Sequence, residues 1–358
     1  MDNQRKRINI VIGDIRLSAG TERAVTNLSN NLVSKGHKVR IISLYSSEGS
    51  PYYKVDQDVD VLHLDKGLKS NILFRLVDYW ILARQLVKYF EKEEIIIGTT
   101  HAINCMLAFL SKKEKLKRIG CEHMGYWATT KSTRYLRKRL YPRLDAVVVL
   151  TNDDKIEYKK QIPKIKSCYV IPNQFSFYPE LVDKERKKQV LAVGRYETQK
   201  GFDILLNDLH QLIKEKQDWV FKIIGSGSMK NILEELIKKY QLNNVILSPP
   251  TPEIEQEFLE SSIYLMTSRN EGLPMVLLEA KACGLPIISY NCPTGPKDLV
   301  YQNDGFLIEM ENKDDLSSKL RKIMEDKDLR ENMSKNARIN VLKFSPENIY
   351  ESWKKILI

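Results

Sequence analysis

Thirteen short apolar runs punctuate the chain. The first half holds INIVIG (8–13), VRIISLY (39–45), VDVLHL (59–64), IIIGTT (95–100), RIGCEH (118–123), AVVVLT (146–151) and CYVIPN (168–173). The second half holds VLAVGR (190–195), WVFKIIG (219–225), VILSPP (245–250), SIYLMTS (262–268), PIISYN (286–291) and GFLIE (305–309). Between them lie longer segments with helical spacing. One is 21–35, with Ala24, Leu28, Leu32 and Val33 on one face. Another is 72–90, with Leu73, Leu76, Val77, Trp80, Leu86 and Val87. Near-continuous apolar strands alternating with helices predict parallel sheets covered on both sides.

The alternation breaks at 174–189, QFSFYPELVDKERKKQ, which is polar and without a clear period. Two doubly wound α/β domains, 1–173 and 190–343, are therefore expected on either side of a linker. The segment 344–358 forms a terminal helix. Ser345 suits its N-cap and Pro346 its first position, and Ile349, Trp353 and Ile356 make an apolar face that must dock. Open α/β sheets bind ligands beyond the carboxyl ends of their strands, so the chemistry is sought in those loops and in a cleft between the domains.

A length of 358 residues with 42% hydrophobic positions suits two globular domains and excludes a disordered chain. No stretch is apolar for long enough to span a bilayer, and the first run is too short for a signal peptide. Five cysteines (Cys105, Cys121, Cys168, Cys283, Cys292) without C-x-x-C spacing read as buried thiols in a reducing compartment. The net charge of +11 is uneven: residues 1–173 hold 31 Lys+Arg against 18 Asp+Glu, and 174–358 hold 26 against 28. The first domain is thus expected to meet something anionic: nucleic acid, a membrane or a phosphorylated acceptor.

The most informative segment is 268–296, SRNEGLPMVLLEAKACGLPIISYNCPTGP. A strand ends, Glu271 and Gly272 follow in a loop, Pro274 opens a helix, and Glu279 lies in its second turn. Free N–H groups at such a helix start, with two carboxylates, suit a phosphate and several sugar hydroxyls. The competing reading is a solvated loop Glu and a surface-helix Glu. In VLAVGRYETQKGF (190–202), Arg195 and Lys200 flank a strand-to-helix loop and can hold a diphosphate, or can be two exposed cations. GDIRLSAGTERAV (13–25) offers Gly20 at a helix start, and IIGSGS (223–228) offers Gly225 and Gly227. His101 and His123 end strands, where most histidines are structural. No metal-ligand spacing, Walker sequence, G-x-G-x-x-G or G-x-S-x-G nucleophile elbow is present, and Asp56, Asp58 and Asp60 precede their strand and read as a solvated turn. In KSTRYLRKRLYPRL (131–144), Leu136, Leu140 and Leu144 recur at helical spacing among Arg134, Arg137, Lys138, Arg139 and Arg143. KKEKLKR (112–118) adds further cations. These are either solvated faces or a surface for anionic lipid.

Together these segments resemble the retaining GT-B glycosyltransferases of glycosyltransferase family 4. NEGLPMVLLEAKACGLPII is similar to that family's E-x7-E element (Glu271, Glu279), and GRYETQKGF to its G-R-x4-K-G element. The first-turn Gly-Gly pair is Ala19-Gly20 here. The resemblance implies two Rossmann-like domains with the terminal helix crossing back to the first. It implies a nucleotide-sugar (UDP-sugar) donor on the second domain and an acceptor on the first, with no obligatory metal or other cofactor. Arg195 and Lys200 would neutralise the leaving diphosphate, and Glu279 would bind the ribose. Glu271 with the N–H groups of Gly272, Leu273 and Met275 would hold the sugar and distal phosphate. Gly20 would approach the phosphates, His123 would position the sugar, and the base would lie near Gly225, Pro250 and Thr251. The implied activity moves a hexose or N-acetylhexosamine to a glycan acceptor, lipid-linked or oligosaccharide, in bacterial surface polysaccharide synthesis. The implied location is cytoplasmic and peripheral on the inner membrane face. Epimerisation of a UDP-sugar without acceptor, on the same architecture, is the rival enzyme. Nucleic-acid binding is the non-enzymatic rival and lacks any recognisable module.

Overall fold

The computed structural model describes residues 7–66, 75–110, 115–181 and 185–357. It divides into two compact units: one runs to Gln174 and resumes at Pro346, and the other is Phe175–Ser345.

Unit 1 contains β1 (Arg7–Ile12), β2 (Lys38–Ser43), β3 (Asp60–His63), β4 (Ile95–Gly98), β5 (Lys117–Cys121), β6 (Ala146–Val149) and β7 (Cys168–Val170). They pair in parallel in the order β3-β2-β1-β4-β5-β6-β7. Helices α1 (Gly20–Ser34), α2 (Arg75–Val87), α3 (His101–Leu107), α4 (Lys131–Leu140) and α5 (Asn152–Gln161) connect them. The central strands are buried on both faces, which is why β4 and β6 read as unbroken apolar runs.

Unit 2 repeats the plan with β8 (Gln189–Val193), β9 (Val220–Ile224), β10 (Val245–Ser248), β11 (Ile263–Met266), β12 (Ile287–Tyr290) and β13 (Gly305–Ile308), in the order β10-β9-β8-β11-β12-β13. Its helices are α6 (Phe202–Glu215), α7 (Lys230–Tyr240), α8 (Ile254–Glu260), α9 (Met275–Ala282), α10 (Pro296–Leu299), α11 (Lys313–Glu325) and α12 (Lys327–Val341). The chain then returns to unit 1 as α13 (Pro346–Leu357). Ile349, Trp353, Ile356 and Leu357 of α13 are buried with α1 against the sheet face formed by Ile8, Ile10, Ile97 and Ile119. The opposite sheet face is covered by α2, α3, α4 and α5.

Three details differ from the sequence pattern. The stretch read as a linker packs along unit 2: Phe175 is buried, Phe177 meets Phe258, and the Arg338 guanidinium lies 3.9 Å over the Tyr178 ring. Pro274 occupies the N-cap of α9, one residue before the first helical position. On α2 the buried residues are Tyr79, Leu82, Ala83 and Leu86, while Leu76, Val77 and Trp80 face outward. Leu73 lies outside the described residues, as do Lys112, Lys113 and Glu114. All five cysteines are buried free thiols. Among the described residues no helix is long and apolar enough to cross a membrane.

Candidate active site

In unit 2 the winding reverses between β8 and β11: the chain leaves β8 toward β9 and β10, then resumes at β11 on the other side. Loops diverge at such a switch point and open a crevice at the strands' carboxyl ends. One loop joins β8 to α6 and carries Arg195 and Lys200; the other joins β11 to α9 and carries Glu271 and Gly272. The two loops are stitched together. Arg269 donates to both carboxylate oxygens of Asp203 at 2.9 and 2.7 Å, the Gln199 amide donates to the Asn270 carbonyl at 3.0 Å, and the Thr267 hydroxyl donates to the Gly201 carbonyl at 2.8 Å. Gly201 is a sequence requirement here. Its φ is +65°, and a Cβ would stand 2.0 Å from the Thr267 carbonyl oxygen.

This stitching brings the two sequence elements into contact: Lys200 Nζ lies 2.8 Å from Glu271 Oε1. Both groups are largely buried, with side-chain exposures of 18% and 7%. Arg195, on the same loop as Lys200, is exposed. Glu279 lies wholly inside the second turn of α9, where its Oε1 accepts from the Ser176 hydroxyl at 2.8 Å. Neither carboxylate is therefore a solvated surface group. Gly272, Leu273 and Met275 are buried at the amino end of α9, where helix N–H groups lack intrahelical acceptors. Gly225 directly follows β9, so close to the β8 loop that a Cβ would stand 1.8 Å from the Gly194 carbonyl oxygen. Pro250 and Thr251 follow β10, with Thr251 Oγ1 accepting from the Glu253 N–H at 3.1 Å. Eight of the expected site residues thus sit on the carboxyl-end loops of four adjacent strands, and Met275 and Glu279 on the helix α9 that follows one of those loops.

Gly20 and His123 belong to unit 1. Gly20 is the first residue of α1, and a Cβ there would meet nothing within 4 Å. Local packing therefore does not demand glycine at that position. His123 follows β5 and lines a cavity of about 30 Å³ with Thr99, Cys121 and Trp353. Its Nδ1 is buried and meets no hydrogen-bonding group among the described residues. Burial pushes the imidazole pKa down to about 4, only partly opposed by the neighbouring Glu122, so the ring is neutral near pH 7. His101 begins α3 behind the Thr100 cap.

Sequence reasoning missed the polar core beneath His123. Glu122 accepts from Arg137 of α4, from the Tyr141 hydroxyl, and from Asn104 Nδ2 at 3.1 Å. Arg137 is fully buried, so one cation of the basic 131–144 segment is unavailable to any partner. Arg118, in the 112–118 cluster, is likewise buried against Asp145 at 3.1 Å. Lys131, Lys138, Arg139 and Arg143 remain exposed. Asp60, read from the sequence as part of a turn before the strand, is instead the first residue of β3 and pairs with Arg40 of β2 at 2.6 Å. Ser176, Arg269 and Asp203 were also missed, since only the fold reveals which loops lie side by side.

Comparison with known proteins settles the family. The model described as "Glycosyl transferases group 1" matches residues 175–340, and that described as "Glycosyltransferase Family 4" matches residues 18–174. The chain belongs to glycosyltransferase family 4. The amylovoran biosynthesis glycosyltransferase AmsD of Erwinia amylovora is 32% identical over 98% of this chain and 99% of its own. A Campylobacter jejuni α-1,4-N-acetyl-D-galactosaminyltransferase acting on an undecaprenyl-diphosphate glycan is 28% identical over 98% of each chain. Among solved structures, a Staphylococcus aureus TarM variant in complex with UDP superposes with a TM-score of 0.86 at 16% identity, covering 98% of this chain and 99% of that one. This glycosyltransferase therefore has the GT-B fold, and its two loop motifs lie on the second of the two units.

Proposed function

We propose that this glycosyltransferase moves a hexose or N-acetylhexosamine from a UDP-sugar to a lipid-linked glycan acceptor, with retention of configuration, in bacterial surface polysaccharide synthesis. The observation that carries the reading is the Lys200–Glu271 ion pair at the switch point of the unit 2 sheet, beside the exposed Arg195. The sugar and acceptor classes rest on relatives: amylovoran synthesis in one, an undecaprenyl-diphosphate glycan in another, and UDP bound in a structural neighbour.

Unit 2 takes the donor and unit 1 the acceptor. Lys200 meets the diphosphate as a point charge and Arg195 as a fork, so negative charge developing on the leaving phosphate is stabilised in place. Glu271, once Lys200 turns to phosphate, accepts from sugar hydroxyls, and the N–H groups of Gly272, Leu273 and Met275 complete the cradle. Glu279 exchanges the Ser176 hydroxyl for ribose hydroxyls. The base lies against Gly225, Pro250 and Thr251, Gly20 leaves room for phosphate, and neutral His123 offers the sugar a hydrogen bond without charge. The glycosidic bond to phosphate breaks as the acceptor oxygen bonds the anomeric carbon on the same face. The leaving phosphate oxygen takes the acceptor's proton, so no protein nucleophile is required. The enzyme works at the inner face of the cell membrane, held peripherally.

The test is UDP release from UDP-glucose, UDP-galactose and their N-acetyl forms, with and without a lipid-linked acceptor extract. One donor is expected to turn over in an acceptor-dependent way. Arg195→Ala, Lys200→Ala and Glu271→Ala should each lower turnover by roughly two to four orders of magnitude, as a leaving-group contact contributes about 3–5 kcal/mol. Near-normal turnover by all three folded variants defeats the assignment.

A further inference from the structure

The outer face of α2 has no part in the site described above. Leu76, Val77, Trp80 and Ile81 are 45%, 52%, 44% and 42% exposed. Residues four apart stack along one side of a helix, so these four form one continuous strip on a helix of thirteen residues. Four adjacent large apolar side chains in water mark a contact surface and not the ordinary scatter of exposed leucines. The strip ends in cations. The Arg84 guanidinium lies 4.3 Å over the Trp80 ring, and Lys88 is exposed one turn further on.

The same side of the sheet continues the pattern. Residues of α2, α3 and α4 share one core cluster on that side. On and before α4, Tyr135 and Trp127 are 58% and 59% exposed, with Lys131, Lys138 and Arg139 exposed around them. Apolar and aromatic groups within a field of cations match a bilayer boundary: rings and aliphatic chains enter at headgroup level, and Lys and Arg meet lipid phosphates. The excess of 31 basic over 18 acidic residues in 1–173 supplies the charge complementarity. A second copy fits less well, because it would bring the same excess of cations to the contact and not the anions that complement them.

We propose that the outer face of α2 docks this enzyme on an anionic bilayer, with Trp80 and Ile81 inserted at the headgroup–acyl boundary and the cations of α2 and α4 on the phosphates. The proposal deepens the lipid-linked acceptor reading and takes its purpose from it: α2 holds unit 1 at the surface that carries such an acceptor. Docking itself requires no sugar transfer.

The test is co-flotation of the full chain with vesicles of phosphatidylcholine alone or mixed with phosphatidylglycerol. The wild-type protein should float with the mixed vesicles and much less with phosphatidylcholine. Trp80→Glu combined with Ile81→Glu should weaken vesicle binding at least tenfold, about 1.4 kcal/mol per tenfold. Its thermal unfolding and its slow acceptor-free release of UDP should match wild type, since both residues are exposed and neither belongs to the unit that carries the donor loops. Trp80→Phe should retain binding. The proposal is overturned if the wild-type protein stays with neither vesicle, if the double variant floats as well as wild type, or if α2 mediates a dimer in solution that the double variant abolishes. Absence of UDP release from every donor, with flotation intact, would instead count against the transferase substrate reading and leave docking standing.

Discussion

Replacing Arg137 by Met should destabilise unit 1 far more than its place on a basic surface helix suggests. Its guanidinium has no exposure. It donates to Glu122, to the Thr129 hydroxyl at 2.9 Å and to the Tyr126 carbonyl at 3.3 Å, and it lies 5.5 Å from the Tyr158 ring centroid. Met has a similar length and fills the stem's space, so little cavity is added. What remains is a buried carboxylate with no cation. Removing one partner of such a pair costs about 3–5 kcal/mol. Glu122 still accepts from Tyr141 and Asn104, which places the expected loss near the lower bound, about 3 kcal/mol. Adding Glu122→Gln to Arg137→Met removes the orphaned charge and keeps an acceptor for Tyr141. The double variant should recover to within about 1–2 kcal/mol of wild type, a coupling of about 2 kcal/mol or more. Because the chain has two units, a single unfolding midpoint is ambiguous. Hydrogen exchange under increasing urea, read at the amides of β5 and α4 against those of β8 and β11, assigns the loss to unit 1. A loss below about 1 kcal/mol for Arg137→Met, or strictly additive singles, would refute the reasoning.

Two further outcomes follow from unit 1. The His123 ring, whose pKa burial holds at about 4, refuses a proton that the unfolded chain accepts near pH 6.5. This penalty is absent above pH 6.5 and grows as pH falls toward 4. With a discount for the partly exposed ring it reaches about 2 kcal/mol. Urea midpoints of His123→Gln and wild type should therefore converge, or cross, between pH 7 and 4.5; parallel curves would dismiss it. Trp353→Ala, at a 5% exposed position of α13, should cost about 3–5 kcal/mol in unit 1 and leave exchange in unit 2 unchanged.

Much of the fold was legible because both sheets are parallel and covered on each side. All thirteen apolar runs became strands, with ends trimmed by one to three residues at most sites. The loop motifs were legible because each compresses its chemistry into a few residues after a strand. The face of α2 was not. Apolar residues surround that helix almost completely from Leu76 to Val87, so periodicity cannot choose between Tyr79–Leu82–Leu86 and Leu76–Trp80. Arg137 misled for a different reason. A cation among cations reads as solvated, and only the packing of α4 reveals Glu122 beneath it. Ser176 lies 103 residues before Glu279, and Asp203 lies 66 before Arg269, so no local pattern ties either pair together.

The return of α13 to unit 1 has a consequence for synthesis. The sheet face holding Ile8, Ile10, Ile97 and Ile119 leaves the ribosome early, yet part of its cover is translated only after all of Phe175–Ser345. During that interval the nascent chain shows an oily, half-clad sheet, the kind of surface that chaperones hold and that aggregates at high expression. Supplying residues 346–358 as a separate peptide to a chain ending at 345 should therefore rescue solubility.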